Sequence, residues 1–173
     1  MARVYSFSLR CVSIGVALVL SCPCATEAAE PAAASGMVLG GGNVQLAEGS
    51  LALQEGRIGD GIRLTLQGLK DATDPREAAV GHSNLCGGYA LVHDWAQALK
   101  ECNKAIELDH TNWQPFNNRA AVYAGLGQYD LALADVRAGL ELDPQSSTLQ
   151  KSLAVVQHNQ KVIKKHDPSI LRS

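Results

Sequence analysis

Two histidines and two cysteines crowd HSNLCGGYALVHDWAQALKEC, residues 82 to 102, and among the side chains of this chain they are the ones best suited to chemistry. His82 and Cys86 stand four apart, so on a helix both occupy one face. Cys102 closes the stretch. If it folds as two antiparallel helices about a turn near Val92 to Asp94, counting outward places His82 and Cys102 at about the same height. Cys86 then falls one turn nearer the turn, and all three face the seam. Three readings share these residues. Free cysteine is among the most buried residue types, which favours plain core packing. A Cys86–Cys102 disulfide is the second, although the offset strains the usual Cα limit of about 7 Å. A metal site is the third; zinc takes four protein ligands, or three plus water, and three candidates are present. The functional counterpart of the last two is a small thiol- or metal-handling protein.

No catalytic motif accompanies them. Gly-x-Ser-x-Gly, His-Glu-x-x-His, a phosphate loop and Cys-x-x-Cys are all missing from the sequence. Cys22-Pro23-Cys24 is one residue too short for a dithiol redox motif. Asp109-His110 and His93-Asp94 fall at predicted helix ends, where such neighbours serve caps and turns. The chain reads as a non-enzyme with no cofactor.

The elements that must position these residues follow from a repeat. Shifted by 34 residues, the opening stretch lies over FNNRAAVYAGLGQYDLALADV, residues 116 to 136. Asn84 then meets Asn118, Tyr89 meets Tyr123, Trp95 meets Tyr129, Ala98 meets Ala132 and Leu99 meets Leu133. Both copies end alike, in Glu107-Leu108-Asp109 and Glu141-Leu142-Asp143. A weaker upstream copy aligns Gly61 with Ala98 and Gly68 with Ala105, its spacing stretched to 37 near DATDPRE. Leu133, Val136 and Leu140 follow helical steps, as do Leu131, Ala134, Ala138 and Leu142. Asp74-Pro75 predicts an N-cap with proline at the first helical position. Gly125 and Gly127 suit a tight turn between paired helices. Aromatic residues make up only 5% of the chain, so the core must come from Ala, Leu and Val, a palette that suits closely approaching helices.

A period of 34 with the late tyrosine (Tyr89, Tyr123), the aromatic opening the second helix (Trp95, Tyr129), small residues at the seam and Pro144 at the close resembles the tetratricopeptide repeat family. The resemblance implies an all-α fold, a right-handed α-solenoid of about three helix-turn-helix units plus a C-terminal capping helix. The units fall at about 42–75, 79–112 and 113–146, within a domain of 42–144. Departures are His82 and Phe116 where a large aromatic is favoured, and Arg119 at an apolar position. Single hairpins cannot bury both faces, so they must stack. The cover at the end of the stack is predicted at 145–166, with Leu149, Leu153, Val156 and Ile163 as its apolar stripe and a short tail, 167–173, beyond.

In this family the first helices line a concave face that holds an extended or helical peptide. Residue matching carries that face onto Asn43, Leu46 and Ser50, then Ser83, Asn84 and Gly87, then Gln114, Asn117, Asn118 and Ala121. Relatives that hold an acidic chaperone tail use lysines, an arginine and asparagines. Here only the asparagines remain, and Leu46 and Gln114 stand where the lysines would be, which argues against such a tail. The implied role is a protein-interaction scaffold or assembly factor.

The N-terminus carries an address. Arg3 and Arg10 followed by the apolar run Cys11 to Leu20 and small residues read as a secretory signal over 1–28, cut after Ala28 or Ala34. That run is too short to span a bilayer core of about 30 Å. Residues 29–41 read as a flexible linker. The expected location is periplasmic or secreted. Val19-Leu20-Ser21-Cys22 offers an alternative lipid attachment at Cys22, the one route to a membrane, and a mitochondrial presequence is a third reading. Cleavage leaves Cys86 and Cys102 in a compartment where disulfides form. A net charge of −2 argues against nucleic acid.

Overall fold

The computed structural model describes residues 43–166. The leader (1–28), the linker (29–41), the tail (167–173) and the cysteines at 11, 22 and 24 therefore lie outside the described residues. Seven α-helices follow one another: α1 (Val44–Gln54), α2 (Ile58–Asp71), α3 (Pro75–Leu91), α4 (Trp95–Leu108), α5 (Gln114–Gly125), α6 (Tyr129–Leu142) and α7 (Ser147–His166). They pack as three consecutive hairpins, α1/α2, α3/α4 and α5/α6, and α3 and α5 also lean on the hairpin before them. Helix α7 takes the place of a fourth first helix, against α6 and α5. The expected all-α stack of three helix-turn-helix units with a capping helix is the fold observed.

Local chemistry sets the boundaries. Asn43 caps α1 by accepting from Leu46 N at 3.2 Å, and its Nδ2 donates to Gly68 O at 2.9 Å, which pins the start of α1 to the end of α2. Asp74 caps α3 by accepting from Arg76 N, and Pro75 opens the helix. The second hairpin therefore begins at Pro75, four residues before the expected unit boundary. That extra first turn makes α3 the longest helix of the three hairpins, at 17 residues, and absorbs the stretched upstream spacing. Ser146 Oγ accepts from Leu149 N at the start of α7.

The hairpin turns share one geometry. Gly56 (φ 76°), His93 (φ 59°) and Gly127 (φ 75°) all adopt the left-handed conformation, two of them on the residue that does so without steric cost. Gly125 has another role than the turn expected of it. It ends α5, and a Cβ there would come within 2.7 Å of the Trp95 indole, so its smallness admits the ring of the preceding hairpin.

Small residues line the seams as expected: Ala98, Ala105 and Ala132 are wholly buried. In the first hairpin a Cβ on Gly61 would lie 3.0 Å from Gly49 O, so α1 and α2 are nearly in backbone contact. Of the two stripes of α6, the core takes Leu133, Val136 and, partly, Leu140, while Leu131 and Leu142 remain exposed. One cluster joins Ala120, Ala132, Val136, Leu149 and Val156 across α5, α6 and α7. Another joins Cys86, Ala90, Ala98, Cys102 and Val122 across α3, α4 and α5. Each hairpin thus completes its core with residues of the next. Among the described residues no helix is long and apolar enough to cross a membrane.

Candidate binding face

The histidine–cysteine stretch resolves into two side-by-side contacts. Cys86 and Cys102 are joined as a disulfide with Cα atoms 5.1 Å apart, and both are fully buried. Counted from His93, their heights differ by two residues, about 3 Å of helical rise. Side chains tilt toward each helix's N-terminus, so Cys86 leans away from the turn and Cys102 leans toward it. The two tilts close the offset that counting along the chain leaves open. His82 does not join them. Its Nδ1 lies 2.6 Å from Glu101 Oε2, beside the disulfide, and Glu101 is only 9% exposed. The metal reading of His82, Cys86 and Cys102 therefore loses its ligands: both sulfurs are bonded to each other and the imidazole to a carboxylate. Among the described residues no group of three metal-binding side chains occurs. A hollow of about 440 Å³ beside the pair is lined by His82, Glu101, Asn103 and the charged chains Lys100, Lys104 and Glu107, whose opposed signs give it no single preference.

Glu101 has a counterpart that residue-type scanning misses. Asp135, one repeat on, is also nearly buried and accepts from Arg119 through two parallel bonds, Nε to Oδ2 at 2.8 Å and Nη2 to Oδ1 at 2.7 Å. The same guanidinium donates from Nη1 to Asn103 Oδ1 of the preceding hairpin at 2.7 Å. Hydrogen bonding to Asp135 holds the Arg119 pKa above its ordinary value. Arg119 thus fills the apolar position expected of it with a paired charge. The signal was an acid at matching repeat positions, 101 and 135.

The row of residues assigned to the concave face lies largely inside the stack. Leu46, Ser50, Asn84 and Asn118 are fully buried, Asn43, Ser83, Gly87 and Asn117 are buried, and Gln114 and Ala121 are half-buried. Asn84 Nδ2 donates to Leu46 O at 3.2 Å, and Asn118 Nδ2 donates to Ser83 O at 3.1 Å. The two asparagines, one repeat apart, therefore make the same stitch between adjacent first helices: α3 to α1, then α5 to α3. Ser152, buried on α7, stands at the next repeat position. Asn43 and Ser50 are also engaged, the first in capping and the second accepting from Gln54 Nε2. What the row retains is acceptor capacity. Asn84 Oδ1, Asn118 Oδ1 and both polar atoms of Asn117 are buried without a hydrogen-bond partner. A buried amide group left unpaired costs about 1–3 kcal/mol, so four such atoms on one row are an unusual concentration.

Comparison with known proteins agrees with this architecture. Residues 101–134 match the model of the tetratricopeptide repeat. The chain is 33% identical over 76 residues to the peptidyl-prolyl cis-trans isomerase FKBP4 of Mus musculus, a match covering 44% of this chain and 17% of that protein's length. The first tetratricopeptide domain of human RPAP3 superposes with a TM-score of 0.62 at 20% identity, covering 79% of this chain and 98% of that domain. The second such domain of human RPAP3, determined in complex with the HSP70 peptide SGPTIEEVD, gives a TM-score of 0.56 at 21% identity over 66% of this chain and 94% of that one. At these identities the structures establish the fold.

Proposed function

We propose that the chain, a tetratricopeptide repeat protein in sequence and fold, is a non-enzymatic protein-interaction module that takes the main chain of a peptide segment against its first helices. The observation that carries this reading is the row of unpaired amide atoms on Asn84, Asn117 and Asn118. These atoms lie inside the stack, so a peptide main chain reaches them only as adjacent first helices part; an amide oxygen then accepts from a peptide N–H, Asn117 offers a donor as well, and the desolvation the row carries is relieved. The RPAP3 domain that holds SGPTIEEVD supports a peptide as the kind of ligand. The charge of that ligand differs here. The row positions on α1, α3 and α5 hold no lysine or arginine, so an uncharged segment fits better than an acidic one.

The setting we propose is an oxidising one, with the protein secreted or periplasmic and serving as a scaffold or assembly factor. It is supported by the Cys86–Cys102 bond and by the leader pattern of residues 1–28. A membrane-display array of nonamer peptides tests the binding reading. Capture of uncharged segments that weakens on Asn117→Ala supports it, and capture indifferent to Asn117 and Asn84 removes those residues from the site. Alkylation under denaturing conditions, applied directly to intact cells, tests the setting, which predicts Cys86 and Cys102 unreactive until a reductant is added.

A further inference from the structure

A stack of hairpins ends in two open faces, and in this chain they carry opposite charge. At the N-terminal end, the packing partners of α1 among the described residues (α2 and α3) both follow it in the chain and cover one side of it. Val44, Glu48 and Leu51, at i, i+4 and i+7, form the other side, with Val44 61% and Leu51 49% exposed. The helix carries a glutamate and no basic residue. At the C-terminal end, α7 is the last helix among the described residues and sits in the place of a first helix, and its far side shows Lys151, Val155 and His158 at the same i, i+4, i+7 spacing, with Lys165 two turns on. Val155 is 45% exposed, and the helix holds four lysines and no acid. The residues between 43 and 146 are the reverse, with 14 acids against 8 bases.

We infer that the outer side of α7 docks onto the outer side of α1 of a second copy, continuing the solenoid head to tail. Three observations select this occupant. The two sides are both charged-plus-aliphatic stripes of one spacing and opposite sign, which is the complementarity a heterologous contact needs. Helix α7 already occupies the place of a first helix, and successive first helices in this fold pack directly on one another, as α3 does on α1 and α5 on α3. The two stripes also lie at opposite ends of the stack, so the contact cannot close as a two-fold dimer and adds copies in a line. Charge across the contact makes it weaken as salt shortens the screening length, from about 10 Å at 0.1 M to about 3 Å at 1 M.

Sedimentation equilibrium of the full chain, with the two end-blocked variants Leu51→Lys and Val155→Glu, tests this. Both substitutions are at exposed sites, and circular dichroism confirms that the variants fold. The wild type is expected to gain mass with concentration past twice the single-chain value and to lose that gain in high salt. Each variant alone stays monomeric, because it retains one end that finds no mate. Mixed in equal amounts they regain association, forming a species of at least twice the chain mass through the one intact pair of ends. Three results overturn the inference: a wild type monomeric at every concentration, a closed dimer that the mixture does not restore, or a monomer that instead binds phosphatidylglycerol vesicles through Lys151 and Lys165.

Discussion

Cys86 and Cys102 are covalently joined at the two repeat positions where, one repeat later, Ala120 and Val136 sit in a common buried cluster. The second hairpin thus holds with a bond what the third holds by packing alone. Closing a loop of 16 residues contributes about 3 kcal/mol by restricting the unfolded chain. The double variant Cys86→Ala/Cys102→Val, which installs the pair of the third repeat, is expected to keep the helical content and lose about that much in urea unfolding. Reductant should lower the wild-type midpoint toward the variant's. A wild-type midpoint indifferent to reductant would show that the bond does not carry this stability.

The bidentate pair of Arg119 and Asp135 makes a second prediction. Their side chains are 20% and 9% exposed, so removing one partner leaves the other poorly solvated. Asp135→Ala should cost about 1–3 kcal/mol, because the guanidinium keeps only Asn103 as a hydrogen-bond partner, beside the Phe116 and Tyr123 rings. Leucine is the residue of the second repeat at this position, Leu85, so adding Arg119→Leu should recover most of the loss. Equal stability of the single and double variants would contradict the pairing as the cause.

Asn84 and Asn118 tie neighbouring first helices through their amide nitrogens, and the same side chains leave their oxygens open. Replacing Asn118 by alanine strands Ser83 O without that donor and should destabilise by about 1–3 kcal/mol. Asn117, which has no bond to lose, should tolerate alanine with little change or a gain in stability. The difference between the two variants in thermal unfolding checks the assignment. A loss at Asn117 as large as at Asn118 would speak against it.

Asp109 sits between α4 and α5, and its Oδ1 accepts from Thr111 Oγ1 at 2.6 Å and Thr111 N at 2.9 Å. The hydroxyl bond is the main cause holding its pKa below the usual carboxylate value, with the amide bond adding to it. A carboxylate depressed in the folded state contributes stability above its unfolded pKa, and that contribution is lost as pH falls through the folded value. Thr111→Val removes the hydroxyl and should raise the Asp109 pKa toward the ordinary range, read by carboxyl NMR titration. The stability lost on acidification should then be smaller, because the folded and unfolded states bind protons at Asp109 more nearly alike. An unmoved Asp109 titration would assign the depression to other neighbours.

The repeat was legible because its marks are local and periodic. Tyr89 and Tyr123, Trp95 and Tyr129, and the small seam residues recur at fixed spacing, and Asp74-Pro75 announces a helix start by its own chemistry. What the sequence left open depends on rotation and tilt. Whether Asn84 and Asn118 face a groove or an adjacent helix turns on a fraction of a helical turn, which spacing does not fix. The reach from Cys86 to Cys102 depends on the direction in which side chains lean, and counting residues omits it. The partners of Glu101 and Asp135 depend on which residue of the facing helix places a nitrogen beside them, and that changes from His82 to Arg119 between copies. Gly125 looked like a turn residue because it lies near the turn, yet the bulk of Trp95 explains it.

The most direct test of the central claim is the affinity of the protein for SGPTIEEVD against its neutral counterpart SGPTIQQVN, by fluorescence anisotropy with wild type and Asn117→Ala. A row that recognises main chain and carries no cation predicts that the neutral peptide binds at least as tightly as the acidic one, and that Asn117→Ala weakens it. Tighter binding of SGPTIEEVD by tenfold or more, or binding of the neutral peptide unchanged by Asn117→Ala, would contradict the account.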